Sequence, residues 1–141
     1  INRVSDPAMV LPGQELKVVR GPFRAEVNLT ANEMTLFLGD LYAGRFEIGV
    51  GSDPVPSTGT FTVQDKMLGK DFFGPGGVTI PAGSPENPYG DMWLDLGGQL
   101  CIHGSSNTVM PNTQGCISVA GDYADDVYGI LSQGSSVTIR R

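Results

Sequence analysis

His103 and Cys116 are the residues of this chain whose types best suit chemistry, since the chain has one histidine and two cysteines. A thiol becomes a strong nucleophile when an imidazole or a helix N-terminus lowers its pKa below about 8.5. The local pattern predicts that His103 ends a strand and that Cys116 precedes a helix, where a scaffold presents reactive groups. The N–H groups of Gly115 and Cys116 would then be able to bind an oxyanion. The stretch 101–119, CIHGSSNTVMPNTQGCISV, therefore suits acyl transfer by a cysteine.

The same residues also have a purely structural interpretation. A lone cysteine is commonly a small buried hydrophobe, and a histidine at a strand end is commonly hydrogen-bonded packing. Cys101 shares a strand face with His103, and we expect it to be a core residue. A Cys101–Cys116 disulfide, which would block the thiol, is the remaining alternative. No metal or other cofactor is expected, because structural zinc sites usually have four Cys or His ligands.

Short strands are expected to position these residues. The chain has 20 Gly and 10 Pro, which suits many strands joined by turns. Two-residue alternation predicts a meander, and a later strand is expected to break at Gly97-Gly98 and deliver His103. The predicted strands are FRAEVNL, EMTLFLG, RFEIGVG, GTFTVQDKM, MWLDLGGQLCIHG and, at the end of the chain, SSVTIRR.

A long loop and a helix separate some of these strands. The loop at 70–91, KDFFGPGGVTIPAGSPENPYGD, is too long for a plain connector and is expected to be functional. The helix is predicted in DYADDVYGIL, with Asp122 at the N-cap or in the first turn. Its apolar face has spacings of three and four residues, at Tyr123, Val127, Ile130 and Leu131.

Composition limits the class of protein. The length of 141 residues suits one domain, and the net charge of −6 argues against nucleic acid, whose phosphates attract Lys and Arg. No apolar run reaches the roughly 18 residues that a membrane span needs. The chain begins at Ile1 without Met or a signal segment, so we expect a fragment or a processed form.

The stretch IHGSSNTVMPNTQGCISV resembles the catalytic signature of the L,D-transpeptidases of the YkuD type. Three further stretches agree with the family in order, and together they cover roughly residues 24–140. The resemblance implies an antiparallel β-sandwich-like, mainly β fold with one short helix after the cysteine. It places the catalytic domain at 23–141. LPGQELKVV is similar to the end of a LysM module, so 1–22 is expected to be a linker or the tail of such a module. The three stretches are RFEIGVGSDPVPSTGTFTV, NPYGDMWLDL and DDVYGILSQGSSVTI.

The resemblance also implies an activity. Enzymes of this family form a thioester with a peptidoglycan tetrapeptide stem, release D-alanine and pass the acyl group to an amine, which makes a 3-3 cross-link. Cys116 would be the nucleophile and His103 the general base, with the oxyanion held at Gly115 and Cys116. The expected partners are stem peptides and carbapenem-type inhibitors, and the expected location is the periplasm or cell wall of a bacterium. Supporting or substrate-binding roles would fall to Gly104, Ser105, Thr113, Gln114 and Ser118.

Two departures from the family pattern keep other functions open. Gln114 stands where the signature has a second histidine, and glutamine cannot take a proton at neutral pH. Ser118 replaces an arginine or asparagine. The alternatives are a wall-peptide-binding domain with weak or no turnover, and an L,D-carboxypeptidase that uses water as acceptor. Because stem peptides carry carboxylates, some cations are expected near the groove, with Lys66, Lys70 and Arg45 as candidates and a solvated surface role as the alternative.

Overall fold

Strands make up most of the regular structure in this computed structural model, which describes residues 6–16, 20–52, 54–105 and 116–141. These residues form eleven strands and a single α-helix, so the predicted mainly β fold with one helix after Cys116 is confirmed. The strands are β1 (Phe23–Asn28), β2 (Glu33–Leu38), β3 (Leu41–Val50), β4 (Gly59–Thr62), β5 (Asp65–Met67), β6 (Phe72–Phe73), β7 (Thr79–Ile80), β8 (Trp93–Gly97), β9 (Leu100–Ser105), β10 (Cys116–Ala120) and β11 (Ser136–Arg140), and the helix is α1 (Gly121–Ile130).

One sheet holds nine of these strands, in the order β4-β11-β1-β2-β3-β10-β9-β8-β5. The predicted meander is confirmed for β1, β2 and β3, which pair antiparallel in sequence order. The sheet is not wholly antiparallel, because β1 pairs with β11 and β9 pairs with β10 in parallel. Strands β6 and β7 form a separate hairpin within the long loop at 70–91.

The prediction of one continuous strand in GTFTVQDKM is wrong. The segment forms β4 and β5, which lie at opposite edges of the nine-stranded sheet although two residues separate them. Those residues bridge the edges: the Val63 N–H donates to the Ser135 carbonyl at 2.9 Å and the Gln64 N–H donates to the Asp95 carbonyl at 2.8 Å. The sheet must therefore curl until its two edges meet, which is the sandwich-like arrangement.

The main core fills the inside of the curled sheet. In β1 and β2 alternate residues point inward, which is the period expected of strands with one buried face. The central strands β8, β9 and β10 also alternate: one set faces the main core, and the other set faces away from it and carries His103 and Cys116. The inward-facing set of these three strands comprises Leu94, Leu96, Leu100, Ile102, Ile117 and Val119.

Helix α1 follows β10 without a loop and packs against the main core through Ala124 and Val127, and Leu131 just beyond it is also buried. Asp122 lies in its first turn, as predicted. Tyr123 was expected on the apolar face, but it is 48% exposed and meets Phe46 edge-on. None of the described helices is long and apolar enough to cross a membrane. The proposal that 1–22 is a linker or a LysM-like tail stays a prediction.

Candidate active site

Parallel pairing of β9 with β10 brings the two chemically promising segments together. Cys116 lies opposite Cys101, Ser118 opposite His103, and Ala120 opposite Ser105. Because side chains alternate along a strand, all of these residues share one face of the sheet. Of the predicted site residues, Thr113, Gln114 and Gly115 lie outside the described residues.

Cys101 and Cys116 are joined by a disulfide, with their Cα atoms 4.7 Å apart. Neighbouring strands lie about 4.8 Å apart, within the range of Cα separations that a disulfide spans. Cys101 is buried as expected, but the prediction that it is a core residue rather than the partner of Cys116 is wrong. Strand alternation placed it on the face of His103, and the register with β10 then placed it opposite Cys116. In this form neither sulfur is a thiol.

His103 is completely buried beneath the aromatic side chains of this face. Its Nδ1–H donates to the Gly104 carbonyl at 2.5 Å, because a carbonyl oxygen only accepts. The Tyr89 ring meets the imidazole edge-on at 5.2 Å, and the Trp93 ring stacks at 6.2 Å. Burial lowers the pKa of His103 below its ordinary 6.5, although backbone hydrogen bonds at Gly104 and Tyr89 oppose the shift. The imidazole is therefore neutral near pH 7, which a general base requires.

A groove of about 570 Å³ opens beside Cys116. Its walls come from the loop at 70–91, from the Gly97-Gly98 turn and from the outer face of β8. Among the described residues, the groove combines aromatic rings with one cation and one carboxylate. Its lining includes Lys70, Phe72, Tyr89, Trp93, Asp95 and Cys116. Such a mixture of apolar surface and a few polar groups is typical of a ligand site.

Only one of the three cations considered from the sequence lines the groove. The Lys70 Nζ lies 4.0 Å from the Trp93 ring centroid, directly above the aromatic wall. Lys66 instead lies 4.2 Å over the Tyr128 ring and donates to the Tyr128 carbonyl. Arg45 is 3.8 Å from Glu33 on neighbouring strands. Of these three cations, Lys70 is therefore the one that lies at the groove.

A family model described as the YkuD L,D-transpeptidase catalytic domain matches residues 22–139. The chain belongs to this family. No curated protein sequence matches the chain.

Solved structures of L,D-transpeptidases share the fold of this YkuD domain. One from Mycobacterium smegmatis has a TM-score of 0.66 and 16% identity and covers 84% of this chain and 58% of its own. A cysteine-to-serine mutant from Enterococcus faecium has a TM-score of 0.67 and 18% identity, and the match covers 83% of this chain and 49% of that one. L,D-transpeptidase 3 from Mycobacterium tuberculosis, in complex with a faropenem-derived adduct, has a TM-score of 0.67 and 14% identity. That match covers 84% of this chain and 60% of the other. The chain thus spans about half to three fifths of these relatives.

Asn87 holds the groove loop of this YkuD domain in place. Its buried side-chain amide donates to three backbone carbonyls, and its Oδ1 accepts from the Tyr89 N–H at 2.9 Å. One amide thus ties the start of the loop to its end and positions the Tyr89 ring on His103. The three carbonyls and their distances are Lys70 at 2.8 Å, Pro81 at 3.1 Å and Ile80 at 3.3 Å.

The stretch NPYGDMWLDL was part of the family resemblance, but no role was predicted for Asn87, Tyr89 or Trp93 within it. The available signal was the segment NPYGDMW at the end of a loop that was expected to be functional. Two buried polar atoms on this face, Trp93 Nε1 and Ser118 Oγ, have no hydrogen-bond partner among the described residues.

Proposed function

We propose that this chain is a peptidoglycan L,D-transpeptidase whose reduced form uses Cys116 as nucleophile and His103 as general base. The observation that carries the proposal is the register of β9 and β10, with Cys116 opposite Cys101 and His103 two residues farther along the same face. From strand spacing and rise, the Cα atoms of His103 and Cys116 lie about 8 Å apart, within reach of their side chains. Membership of the YkuD family supports the reaction class.

The proposed reaction has two acyl-transfer steps. His103, neutral at pH 7, takes the proton of the Cys116 thiol, and the thiolate attacks the carbonyl that precedes the terminal D-alanine. The N–H groups of Gly115 and Cys116 stabilise the oxyanion, and D-alanine leaves with a proton from His103. The amine of a second stem then attacks the thioester and yields the cross-link. This chemistry acts on cell-wall peptide, so the proposed location is the periplasm or cell wall.

His103 is suited to this role by its surroundings. The Gly104 carbonyl accepts from Nδ1–H and so fixes the orientation of the neutral ring. The Tyr89 and Trp93 rings restrict the rotation of the imidazole. Gly104 therefore acts as the positioning residue, while Ser105, Thr113, Gln114 and Ser118 keep their proposed supporting or substrate-binding roles. Gln114 would donate or accept a hydrogen bond without proton transfer.

Lys70 gives the groove its selectivity in this proposal. Stem peptides end in carboxylates, and the Lys70 ammonium lies on the groove wall above Trp93. The apolar rings would contact the stem backbone, while Lys70 would pair with a carboxylate of the donor stem. Strained lactams of the carbapenem type carry a carboxylate beside an acylating carbonyl and would occupy the same positions.

A second function is favoured by one observation, the Cys101–Cys116 disulfide. A disulfide sulfur cannot form a thioester, so the oxidised protein would bind wall peptide without turning it over. The two functions differ in what reduction does: the enzyme gains an acylable thiol, whereas a binding domain gains nothing.

The test is acylation followed by intact mass. Protein reduced with dithiothreitol and then freed of it is mixed with a tetrapeptide donor or with faropenem. We expect an adduct in the wild type and none in Cys116→Ala, while the matched variant Cys101→Ala keeps the adduct. His103→Ala should acylate about 10²-fold more slowly. Adduct formation by Cys116→Ala would refute the assignment of the nucleophile.

Binding and product analysis separate the alternatives. Titration calorimetry with a muropeptide measures binding, and binding without any adduct after full reduction would establish the binding domain. Products formed with an amine acceptor distinguish a cross-linked dimer from a hydrolysed tripeptide, which would indicate the carboxypeptidase.

A further inference from the structure

Cys101 has no part in the proposed acyl transfer, but it lies next to the proposed nucleophile and can block it. It faces Cys116 in register on the adjacent strand, with a Cα separation of 4.7 Å. The strands β9 and β10 are interior strands of the nine-stranded sheet and are already hydrogen-bonded to each other. The cross-link therefore joins segments that the sheet already holds together, and its distinctive chemical effect is to remove the Cys116 thiol.

The two sulfurs differ in access. Both residues are buried, at 4% exposed for Cys116 and 1% for Cys101, but of the two only Cys116 is among the described residues that line the groove. A small oxidant or an attacking thiolate that enters the groove therefore meets Cys116 first. The thiol of Cys101 then lies within bonding distance of the oxidised sulfur of Cys116.

We propose that Cys101 is the resolving cysteine of Cys116: it converts the oxidised nucleophile into a disulfide that a dithiol reductant reopens. The proposal rests on the proposed function, in which Cys116 is the nucleophile, and it adds the regulation of that site. A groove-lining thiolate is open to oxidation, and progress beyond sulfenic acid is irreversible for most proteins. The neighbouring thiol diverts the first oxidation product into a reversible form.

The chemistry balances in two stages. The Cys116 thiolate attacks one oxygen of hydrogen peroxide, hydroxide leaves, and sulfenic acid forms. The Cys101 thiolate attacks that sulfur, the S–S bond forms, and the S–O bond breaks with release of hydroxide, which takes up the proton lost from Cys101. In reduction, a thiolate of the dithiol attacks Cys116 from the groove and expels the Cys101 thiolate. The second thiol of the reductant attacks the mixed disulfide, frees Cys116 and leaves as a cyclic or protein disulfide.

The experiment is peroxide titration of the reduced full chain, followed by intact mass and thiol counting. We expect wild type to lose two hydrogens and both thiols, and dithiothreitol to restore them without denaturant. Cys101→Ala should instead gain one oxygen and then further oxygens that dithiothreitol does not remove. Cys116→Ala should stay unmodified at the same dose, since its remaining thiol is shielded. Cys101→Val provides a second apolar replacement if the alanine variant fails to fold.

Three outcomes would overturn the proposal. Irreversible oxidation of wild type as fast as that of Cys101→Ala would show that Cys101 gives no protection. A disulfide that dithiothreitol opens only in denaturant would make the bond structural. Oxidation of Cys116→Ala at the wild-type rate would show that Cys101 is itself accessible.

Mass and thiol counts need no substrate, so the two proposals can fail separately. Reversible disulfide formation with no faropenem adduct in the reduced protein would support the resolving role and refute the enzyme. An adduct in reduced wild type, together with equal irreversible oxidation of wild type and Cys101→Ala, would support the enzyme and refute the resolving role. With both proposals correct, peroxide-treated wild type regains adduct formation once it is reduced, whereas peroxide-treated Cys101→Ala does not.

Discussion

The backbone of Gly90 lies directly against that of Gly104, so that a Cβ atom on Gly90 would be 2.7 Å from the Gly104 carbonyl carbon and 2.9 Å from the Ser105 nitrogen. Gly90 ends the segment that carries Tyr89, and Gly104 follows His103 and accepts its Nδ1–H. The contact thus couples the groove loop to the backbone that orients the imidazole.

Replacement of Gly90 by alanine should therefore destabilise the protein and slow acylation together. The overlap is with backbone, which cannot move aside, and we expect a loss of about 1–3 kcal/mol in the free energy of unfolding beyond the cost of a left-handed φ. Gly39→Ala is the matched control, because Gly39 has the same φ of +58° with nothing within 4 Å. Urea unfolding of both variants measures the difference, and equal losses would contradict the steric account.

Stability of the disulfide form should fall at acidic pH because of His103. Burial lowers the pKa of His103 below 6.5, so between that lowered value and 6.5 the unfolded chain binds a proton that the folded protein does not. The contribution of the neutral His103 imidazole to stability is complete above pH 6.5, the pKa of the residue in the unfolded chain. It is lost as the pH falls through the lower pKa that His103 has in the folded protein. The slope is at most about 1.4 kcal/mol per pH unit.

Non-reducing urea unfolding below and above pH 6.5 tests the effect of His103, with His103→Gln as the comparison. The variant removes the titrating group but leaves the carboxylates, so we expect a shallower loss on acidification than in wild type. Parallel curves for the two proteins would show that His103 does not contribute.

Lys70→Met should weaken use of the donor stem without loss of folding. The substitution keeps an apolar stem against Trp93 but removes the charge, and the loss of a charge-assisted contact corresponds to a decrease in kcat/KM of about tenfold. The control is Lys66→Met, because Lys66 also lies over an aromatic ring but at Tyr128, away from the groove. Acylation rates with tetrapeptide donors give both values, and equal effects of the two substitutions would argue against carboxylate binding by Lys70.

Local pattern was a good guide to some elements of this fold. Alternation predicted β1, β2 and β3, and the glycine pair at 97–98 correctly marked a break, where both residues have positive φ. Helix α1 followed from spacings of three and four residues. The segment 59–67 was misread, because its two halves pair with β11 and β8, which lie far from it in sequence.

The sequence by itself indicated a mainly β fold, through alternation and turn residues, and it indicated the family through the resemblance of its His103–Cys116 stretch to the YkuD signature. These are local properties of the chain. Only the tertiary structure decided what Cys116 bonds to, how His103 is buried and which cation lines the groove. These depend on the register of β9 with β10 and on the packing of the 70–91 loop across β8. A register is a relation between distant segments, and no local pattern specifies that Cys101 rather than a neighbour lies opposite Cys116.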